Sequence, residues 1–168
     1  AAIRFTTFDT NNTGSGYGTF LTNDPDIGGD GGDGGAVYTS GDITEISYSL
    51  MLGNYTGRGG DSHSTGSGGM GGRGGAIALF SYGRVSRLFN STLTQNYTGK
   101  GGRGASENFD GIGGDGGGIY SQENGWIDVR MSTIVDNRTY MRSYGSGPTH
   151  YIPAGHGAGI YVNHAELF

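Results

Sequence analysis

The chain has 168 residues, a formal net charge of −5, no cysteine and 38 glycines. An acidic chain without basic clusters excludes an electrostatic footprint for nucleic acid, and the absence of cysteine excludes disulfides and thiolate metal sites. The longest purely apolar run, Ala76 to Phe80, is too short to insert into a membrane. Disorder is the alternative for a glycine-rich chain, but aromatic and aliphatic residues in regular positions favour a fold.

Two short motifs alternate along the chain. In the first, which we call the cassette, an apolar residue stands three positions before an Asn; it recurs at residues 8–14, 51–57, 93–99 and 134–140. In the second, two small residues precede an apolar pair, as in Gly34-Gly35-Ala36-Val37-Tyr38; it recurs at 74–78, 116–120 and 157–161. The cassette Asn residues are 43, 42 and 41 positions apart, and joining Phe168 to Ala1 continues the series in phase because 4 × 42 = 168. A fixed period of this size predicts stacked repeats.

The first elements of each period form two apolar columns when the periods are aligned on the cassette Asn. Eight residues before it stand Ile3, Ile46, Leu88 and Val129, and three residues before it stand Phe8, Met51, Leu93 and Ile134. Columns five residues apart cannot both face inward along one straight strand, so the chain must bend between them. Small hydroxyl residues mark the bend, five before the Asn: Thr6, Ser49, Ser91 and Ser132. They predict a corner at which the hydroxyls bond to nearby backbone.

The glycine motif supplies a third apolar segment, so each period holds three short strands. We therefore predict an all-β fold, a parallel β-solenoid of four coils of about 42 residues, in one segment covering residues 1–168. The repeats run approximately over 1–33, 34–73, 74–115 and 116–156, with 157–168 continuing in phase into residue 1 of a following unit. A chain that starts at Ala1 without Met fits a removed signal peptide and equally an excerpt from a longer protein.

These motifs resemble those of the right-handed parallel β-helix with polymorphic-outer-membrane-protein-like repeats. The Gly-Gly-Ala-Ile signature of those families is matched by Gly34 to Val37, Gly74 to Ile77 and Gly116 to Ile119. Their Phe-x-x-Asn signature is matched by Phe8 to Asn11, with Met51, Leu93 and Ile134 in place of Phe in the later periods. The resemblance covers all four periods and implies a right-handed β-helix, and it says little about function.

Roughly half of each period exceeds what three short strands need, and this surplus is glycine-rich. Glycine often falls in triplets there, as in Ile27 to Gly35 and Gly68 to Gly75. A three-residue period matches the polyproline II helix and predicts a second hydrogen-bonded layer beside the solenoid; mobile glycine loops are the alternative. The fourth excursion carries Tyr144, Pro148, His150, Tyr151 and Pro153 instead, which indicates a cap or a lateral contact.

The cassettes also contain acceptor sequences for N-glycosylation. Asn11, Asn54, Asn96 and Asn137 each begin an Asn-x-Thr sequon, and Asn90 begins a fifth. Covalent N-glycans on a secreted eukaryotic protein are the favoured interpretation; a stacked ladder of unmodified Asn residues is the alternative. Asn90 is the weakest candidate, because it shares a column with Phe5, Tyr48 and Met131 that we expect to face the core.

No combination of residues predicts catalysis, a bound metal or a cofactor. Asp30, Asp33 and Asp115 lie in glycine runs but do not follow the spacing of calcium-binding nonapeptides, and the four His residues lack ligand spacing. Polysaccharide lyases share the β-helix and need clustered carboxylates beside a basic residue. The charged strand residues, which are Glu45, Arg84, Arg87, Asp128 and Arg130, are instead scattered over different repeats. We expect surface charge rather than an enzyme.

The favoured function is a structural subunit of an extracellular filament or surface appendage. An uncapped solenoid presents open strand edges, and open edges seek pairing. The expected partner is the chain itself, head to tail, or adjoining repeats of a longer chain. The first alternative is a β-helical surface adhesin or binding stalk with the excursions as its recognition face; the second is a polysaccharide-acting enzyme.

Overall fold

A computed structural model describes residues 1–18, 27–63, 65–106, 109–140, 154–163 and 166–167. The regular elements of these residues are short β-strands, and no helix occurs among them. The strands are β1 (Ala2–Arg4), β2 (Thr7–Asp9), β3 (Val37–Thr39), β4 (Asp42–Ile43), β5 (Glu45–Ser47), β6 (Leu50–Leu52), β7 (Ile77–Leu79), β8 (Arg84–Phe89), β9 (Thr92–Thr94), β10 (Ile119–Ser121), β11 (Trp126–Arg130), β12 (Thr133–Val135), β13 (Ile160–Val162) and β14 (Glu166–Leu167).

The strands form three parallel sheets. Sheet 1 has the order β1-β5-β8-β11-β14, with β4 also pairing β8; sheet 2 has the order β2-β6-β9-β12, and sheet 3 the order β13-β10-β7-β3. From β3 onward the chain visits sheet 3, then sheet 1, then sheet 2, and repeats this order. Because each strand pairs with its equivalent in the neighbouring period, the architecture is a stacked parallel β-solenoid.

The predicted apolar columns lie between the sheets. Register brings Ile3 beside Ile46 and Phe8 beside Met51. The middle members, which are Ile46, Met51, Leu88 and Leu93, are each 0% exposed. The outer members, Ile3, Phe8, Val129 and Ile134, are partly buried and pack against them. Residues of sheet 3 such as Ile77 and Ile119 complete this core. The two apolar positions of each period therefore hold the strand before the bend and the strand after it against the core.

The corner between sheets 1 and 2 differs from one sequence expectation. The column Phe5, Tyr48, Asn90 and Met131 was expected to face the core, but Phe5 and Met131 are each 78% exposed and Tyr48 is 48% exposed. All four residues have left-handed backbone, with φ between 44° and 50°. This conformation turns the chain through the bend and directs the side chain outward, so the expectation was wrong.

The hydroxyl column makes the corner bonds predicted for it. The Ser49 hydroxyl donates to the Ser47 carbonyl oxygen (2.8 Å), and the Ser91 hydroxyl donates to that of Phe89 (3.0 Å). The same oxygens accept from the backbone of the preceding period, as Ser91 Oγ does from the Ser49 N–H (3.2 Å). Each hydroxyl thus closes its own bend and joins two periods, which is why the column is restricted to small hydroxyl residues.

The glycine-rich excursions form a hydrogen-bonded layer. Each has an outgoing limb (residues 14–18, 57–62 and 99–104) and a returning limb (28–34, 68–74 and 111–116). Returning limbs bond to outgoing limbs every third residue, as in Gly69 N to Gly60 O (2.9 Å) and Gly72 N to Gly57 O (2.8 Å). Each outgoing limb also bonds at every third residue to the returning limb of the preceding period, as in Gly57 N to Gly32 O (3.0 Å). These hydrogen bonds are what the predicted second layer beside the solenoid requires.

Close backbone approach explains why the layer needs glycine. A Cβ added at Gly99 would lie 1.8 Å from the Gly57 carbonyl oxygen, and one at Gly57 would lie 1.9 Å from that of Gly14.

Residues Tyr144 to Pro153 of the fourth excursion, where we predicted a cap or lateral contact, lie outside the described residues. In the part of the chain that the structure describes, no helix has the length and apolarity to cross a membrane.

Candidate functional site: side-chain ladders and their open ends

The four cassette Asn residues form a continuous ladder along the solenoid. The side-chain amide nitrogen of each Asn donates to the side-chain oxygen of the next: Asn11 to Asn54 (2.8 Å), Asn54 to Asn96 (2.8 Å) and Asn96 to Asn137 (2.7 Å). The backbone N–H of the same residue donates to the same oxygen, at 3.0–3.1 Å. Asn54 and Asn96 are 0% exposed. Buried amides at this position are satisfied by one another rather than by water.

The two inner members of the ladder, Asn54 and Asn96, use both protons of their amide nitrogens. Besides its ladder bond, Asn54 Nδ2 donates to the Phe8 carbonyl (3.1 Å), and Asn96 Nδ2 donates to that of Met51 (3.0 Å). Asn137 Nδ2 donates to the Leu93 carbonyl (2.8 Å). A glycan on Nδ2 would replace one of these protons and would need space that the buried site lacks. The folded geometry at Asn54 and Asn96 therefore favours the alternative of a stacked Asn ladder, and N-glycosylation of the cassettes stays a prediction.

A Thr column two residues later was read only as part of the sequons, and its structural role was missed. Thr56 Oγ1 donates to the Gly72 carbonyl (2.5 Å) and accepts from the Gly99 N–H (2.7 Å). Thr13 Oγ1 makes the equivalent bonds to Gly32 and from Gly57. This column ties the solenoid to both glycine limbs. A sequence signal was present, since all four cassettes carry Thr where a sequon also tolerates Ser.

Removing one hydroxyl of this column tests its structural role. Thr56→Val should lower the free energy of unfolding by about 1–2 kcal/mol, because it removes two hydrogen bonds and leaves the Gly99 N–H and the Gly72 carbonyl only their longer bond to each other (3.2 Å). Urea unfolding of protein made in a host that does not glycosylate measures the effect without any contribution from sugar.

Thr94→Val is the matched control for that experiment. Thr94 lies on the outer face of β9, and no side-chain hydrogen bond of it is found among the described residues. Its substitution should change stability by less than about 0.5 kcal/mol. Equal effects of the two substitutions would show that the Thr56 bonds do not stabilise the fold.

The ladders have a direction, and their two ends are complementary. At the first end, Asn11 Oδ1 and Thr6 Oγ1 accept no hydrogen bond from any described residue. At the other end, the backbone N–H groups of Asn137 and Ser132 donate none within the described residues. Inside the chain the same groups always pair, donor of one period to acceptor of the following one. One end of the solenoid therefore presents acceptors where the other presents donors.

The sheet edges show the same complementarity. Within the described residues, β1, β2 and β3 pair on one side only, and so do β12, β13 and β14. Sheet 1 is particularly informative. In the middle of sheet 1, β4 pairs with the first half of β8, and β5 pairs with the second half of β8. At one end of the sheet, β14 pairs with the first half of β11 only. At the other end, β1 pairs with β5 only. Among the described residues, β4 has no partner strand on the side of the preceding period, where the equivalent residues are those of β14. The second half of β11 has no described partner strand on the side of the following period, where the equivalent residues are those of β1.

Aromatic side chains also stack along the axis of the solenoid. Tyr55 and Tyr97 stack at 4.9 Å with planes 5° apart. Tyr38, Tyr120 and Tyr161 lie in one strand column, in which Ala78 holds the place between Tyr38 and Tyr120. Phe80 fills the space that Ala78 leaves, and its ring centroid lies 5.4 Å from that of Tyr38 and 5.2 Å from that of Tyr120. Arg73 lies over the Tyr120 ring at 5.3 Å. These rings face one another, so they act as structural ladders.

The charged residues pair with each other on the outer surface of sheet 1. Glu45 accepts from Arg4 (3.2 Å) and from Arg87 (2.6 Å), and these hydrogen bonds lower the pKa of Glu45 to about 2. Arg130 pairs with Asp128 (2.8 Å), and Arg84 lies over the Trp126 ring at 5.4 Å. Among the residues that the structure describes, no group of three or more His, Asp or Glu is placed to hold a metal ion.

Comparison with known proteins gives little further information. No protein-family model matches the chain, and no curated protein matches it. Among solved structures, the chain is similar to the springtail antifreeze protein from Granisotoma rainieri, a bundle of nine polyproline type II helices, at 16% sequence identity over 89% of this chain and 95% of that one. The TM-score is 0.22, which does not indicate a common fold.

Proposed function

We propose that this protein is a structural subunit of an extracellular filament or surface appendage, in which units stack head to tail as one continuous β-solenoid. Each unit contributes four right-handed coils of about 42 residues, with excursions of polyproline II type. The occupant of each open edge is a second copy of the chain; adjoining repeats of a longer chain would present the same edge.

The observation that carries the proposal is the match between the two ends of the chain. We place Thr133–Val135 of a preceding copy beside Thr7–Asp9. Each column then continues with a residue of the same kind: Ile134 lies beside Phe8, and the N–H donors of Asn137 face Asn11 Oδ1. Because donors lie at one end and acceptors at the other, two identical ends do not complement each other. The contact is therefore heterologous, and heterologous contacts that do not close a ring produce helical fibres.

Charge supports the same alignment. Arg4 reaches Glu45, which lies diagonally two residues before its register partner Ser47. In the proposed contact the partner of Arg4 on its other side is Arg130 of the preceding copy, and two residues before that stands Asp128. Asp128, which already pairs with Arg130, is thus placed within diagonal reach of Arg4 across the junction. The junction would contain a row of alternating charges in place of two facing Arg residues.

The glycine layer suits a load-bearing rod. Its limbs bond to the preceding and following periods as well as to each other, so the excursions stiffen the stack. Hydrogen bonds every third residue between glycine segments fit polyproline II helices, which share one face at that period. A unit held together along its whole axis by backbone bonds is the kind of element from which a filament is made.

Gly14→Ala is a variant that separates assembly from folding. Apart from its two chain neighbours, no atom of the described residues lies within 4 Å of a Cβ added at Gly14. The equivalent Cβ positions at Gly57 and Gly99 point at the preceding period, so the Gly14 Cβ points at the preceding copy. Gly14→Ala should fold with unchanged stability and should lower filament mass in light scattering at least tenfold.

Thr94→Val is the control for that variant, since Thr94 lies on the outer face of β9, which pairs with β6 and with β12 inside the chain and so forms no open edge. It should assemble like the unsubstituted protein. Normal filaments from Gly14→Ala, or a monodisperse monomer from the unsubstituted chain at all concentrations, would contradict the proposal.

A further inference from the structure

One sequon remains outside the ladders. Asn90 is exposed and has a φ of 44°, and its backbone N–H donates to the Arg130 carbonyl at 3.2 Å. Among the described residues, no side-chain hydrogen bond involves its amide. The hydroxyl residue of its sequon, Thr92, is half-buried on the outer face of β9 and also makes no such bond there. Asn90 and Thr92 are therefore both available, unlike the Asn and Thr of the cassettes.

The position of Asn90 in its column leaves a space on the side of the rod. The Phe5 ring stacks on Tyr48 at 5.1 Å with planes 10° apart. In the following period the Phe89 ring meets Tyr48 in a T-shaped contact at 5.7 Å, and the column continues with the short side chain of Asn90. A shallow groove of about 550 Å³ runs along this corner and is lined by three periods: Phe5 to Thr7, Tyr48 to Leu50, and Asn90 with Thr92.

The chemistry of this groove suits a neutral sugar. None of its lining residues is charged; they supply aromatic rings, methyl groups, hydroxyls and one amide. Apolar walls with a few polar groups are typical of sites that bind a ring with one apolar face and several hydroxyls. Asn90 itself lines the groove, so a sugar attached to its side chain would already lie at the groove and could occupy it without a separate ligand.

We infer that Asn90 is the N-glycosylation site of this protein and that the first sugars of its glycan lie in the groove beside Tyr48. The inference rests on the extracellular placement proposed above. In the transfer step, the bond between the anomeric carbon and the diphosphate oxygen of a lipid-diphosphate oligosaccharide breaks, and a bond from that carbon to Asn90 Nδ2 forms. One Nδ2 proton is lost, and the lipid diphosphate leaves.

This site is compatible with stacking, whereas Asn11 is not. Asn11 lies at the open end of the ladder, where a glycan would occupy the place of the preceding copy. The Asn90 groove follows the corner between sheets 1 and 2. Asn90 and Thr92 line its end in the third period, whereas Phe5, Thr6 and Thr7 line the end nearer the open edge. A filament would then carry one glycan per 168 residues, about 19 Å apart along its axis at ~4.8 Å per coil.

Site mapping on secreted protein tests the inference. The 168-residue chain is secreted from a eukaryotic cell line with a cleavable signal sequence, and its intact mass is measured before and after enzymatic removal of N-glycans. Asn90→Gln and Thr92→Ala should each abolish the mass change, and Thr92→Ser should restore it. Peptide mapping should find the Asn-to-Asp conversion left by deglycosylation at Asn90.

The outcomes separate this inference from the proposed assembly. An unchanged mass, or occupancy at Asn54 or Asn96 with Asn90 unmodified, overturns the glycan site whatever the chain assembles into. Glycan on Asn90 together with a monomeric chain supports the site and overturns only the stacking. Asn90→Gln should still form filaments, because its side chain lies away from both open ends.

Discussion

Asn96→Ala is expected to lower the free energy of unfolding by about 3 kcal/mol or more. The substitution removes two donated bonds, to Asn137 Oδ1 and the Met51 carbonyl, and the oxygen that accepts from the backbone and side chain of Asn54. Each buried polar group left without a partner costs about 1–3 kcal/mol, and Asn96 is 0% exposed, so water does not replace the lost bonds. Urea unfolding followed by circular dichroism measures the loss.

Asn11→Ala provides the comparison at the end of the same ladder. Asn11 is exposed and its side chain donates only the bond to Asn54. We expect a cost of about 1 kcal/mol, the typical net value of one hydrogen bond. If both substitutions cost the same small amount, the ladder would not be the main polar element that holds the periods in register.

Gly99→Ala is expected to have a still larger effect. Its Cβ would lie 1.8 Å from the Gly57 carbonyl oxygen and 3.0 Å from the Gly72 nitrogen. Both atoms belong to a hydrogen-bonded backbone, so neither can move without breaking bonds in two periods. Overpacking of a core side chain typically costs about 1–3 kcal/mol, and a backbone clash at this distance should exceed that range. We expect a melting temperature at least 10 °C lower or no cooperative transition.

The same substitution at Gly14 is the matched control for stability. It occupies the equivalent position in the first period, where the added Cβ meets no atom within 4 Å. The melting temperature of monomeric Gly14→Ala should stay within about 2 °C of that of the unsubstituted chain, since surface substitutions usually change stability by less than about 0.5 kcal/mol. A fully cooperative Gly99→Ala with unchanged stability would mean that the limbs are not in close backbone contact.

Much of the fold follows from the repeat alone. Aligning the periods places Ile46, Met51, Leu88 and Leu93 in the core, because an apolar residue repeated at one phase has to share one environment. The hydroxyl corner was predictable for the same reason: Ser49 and Ser91 stand where the two apolar columns require a bend.

Other features are not determined by residue type alone. Phe5, Tyr48 and Met131 are apolar and repeat in phase, as core residues do, but the left-handed backbone of the corner directs them outward. That conformation follows from the neighbouring strands and not from the residues themselves. Asn-x-Thr likewise has two meanings in a sequence. Only the distances from Asn54 Nδ2 and Thr56 Oγ1 to their partners identify these residues as ladder members.

Cryo-electron microscopy of the assembled 168-residue chain tests the central claim most directly. Head-to-tail stacking predicts unbranched filaments in which one chain advances the axis by about 19 Å, with ~4.8 Å between strands along that axis and with β12 of one copy beside β2 of the next. A chain that stays monomeric at every concentration, or that forms closed dimers through two identical ends, would contradict it.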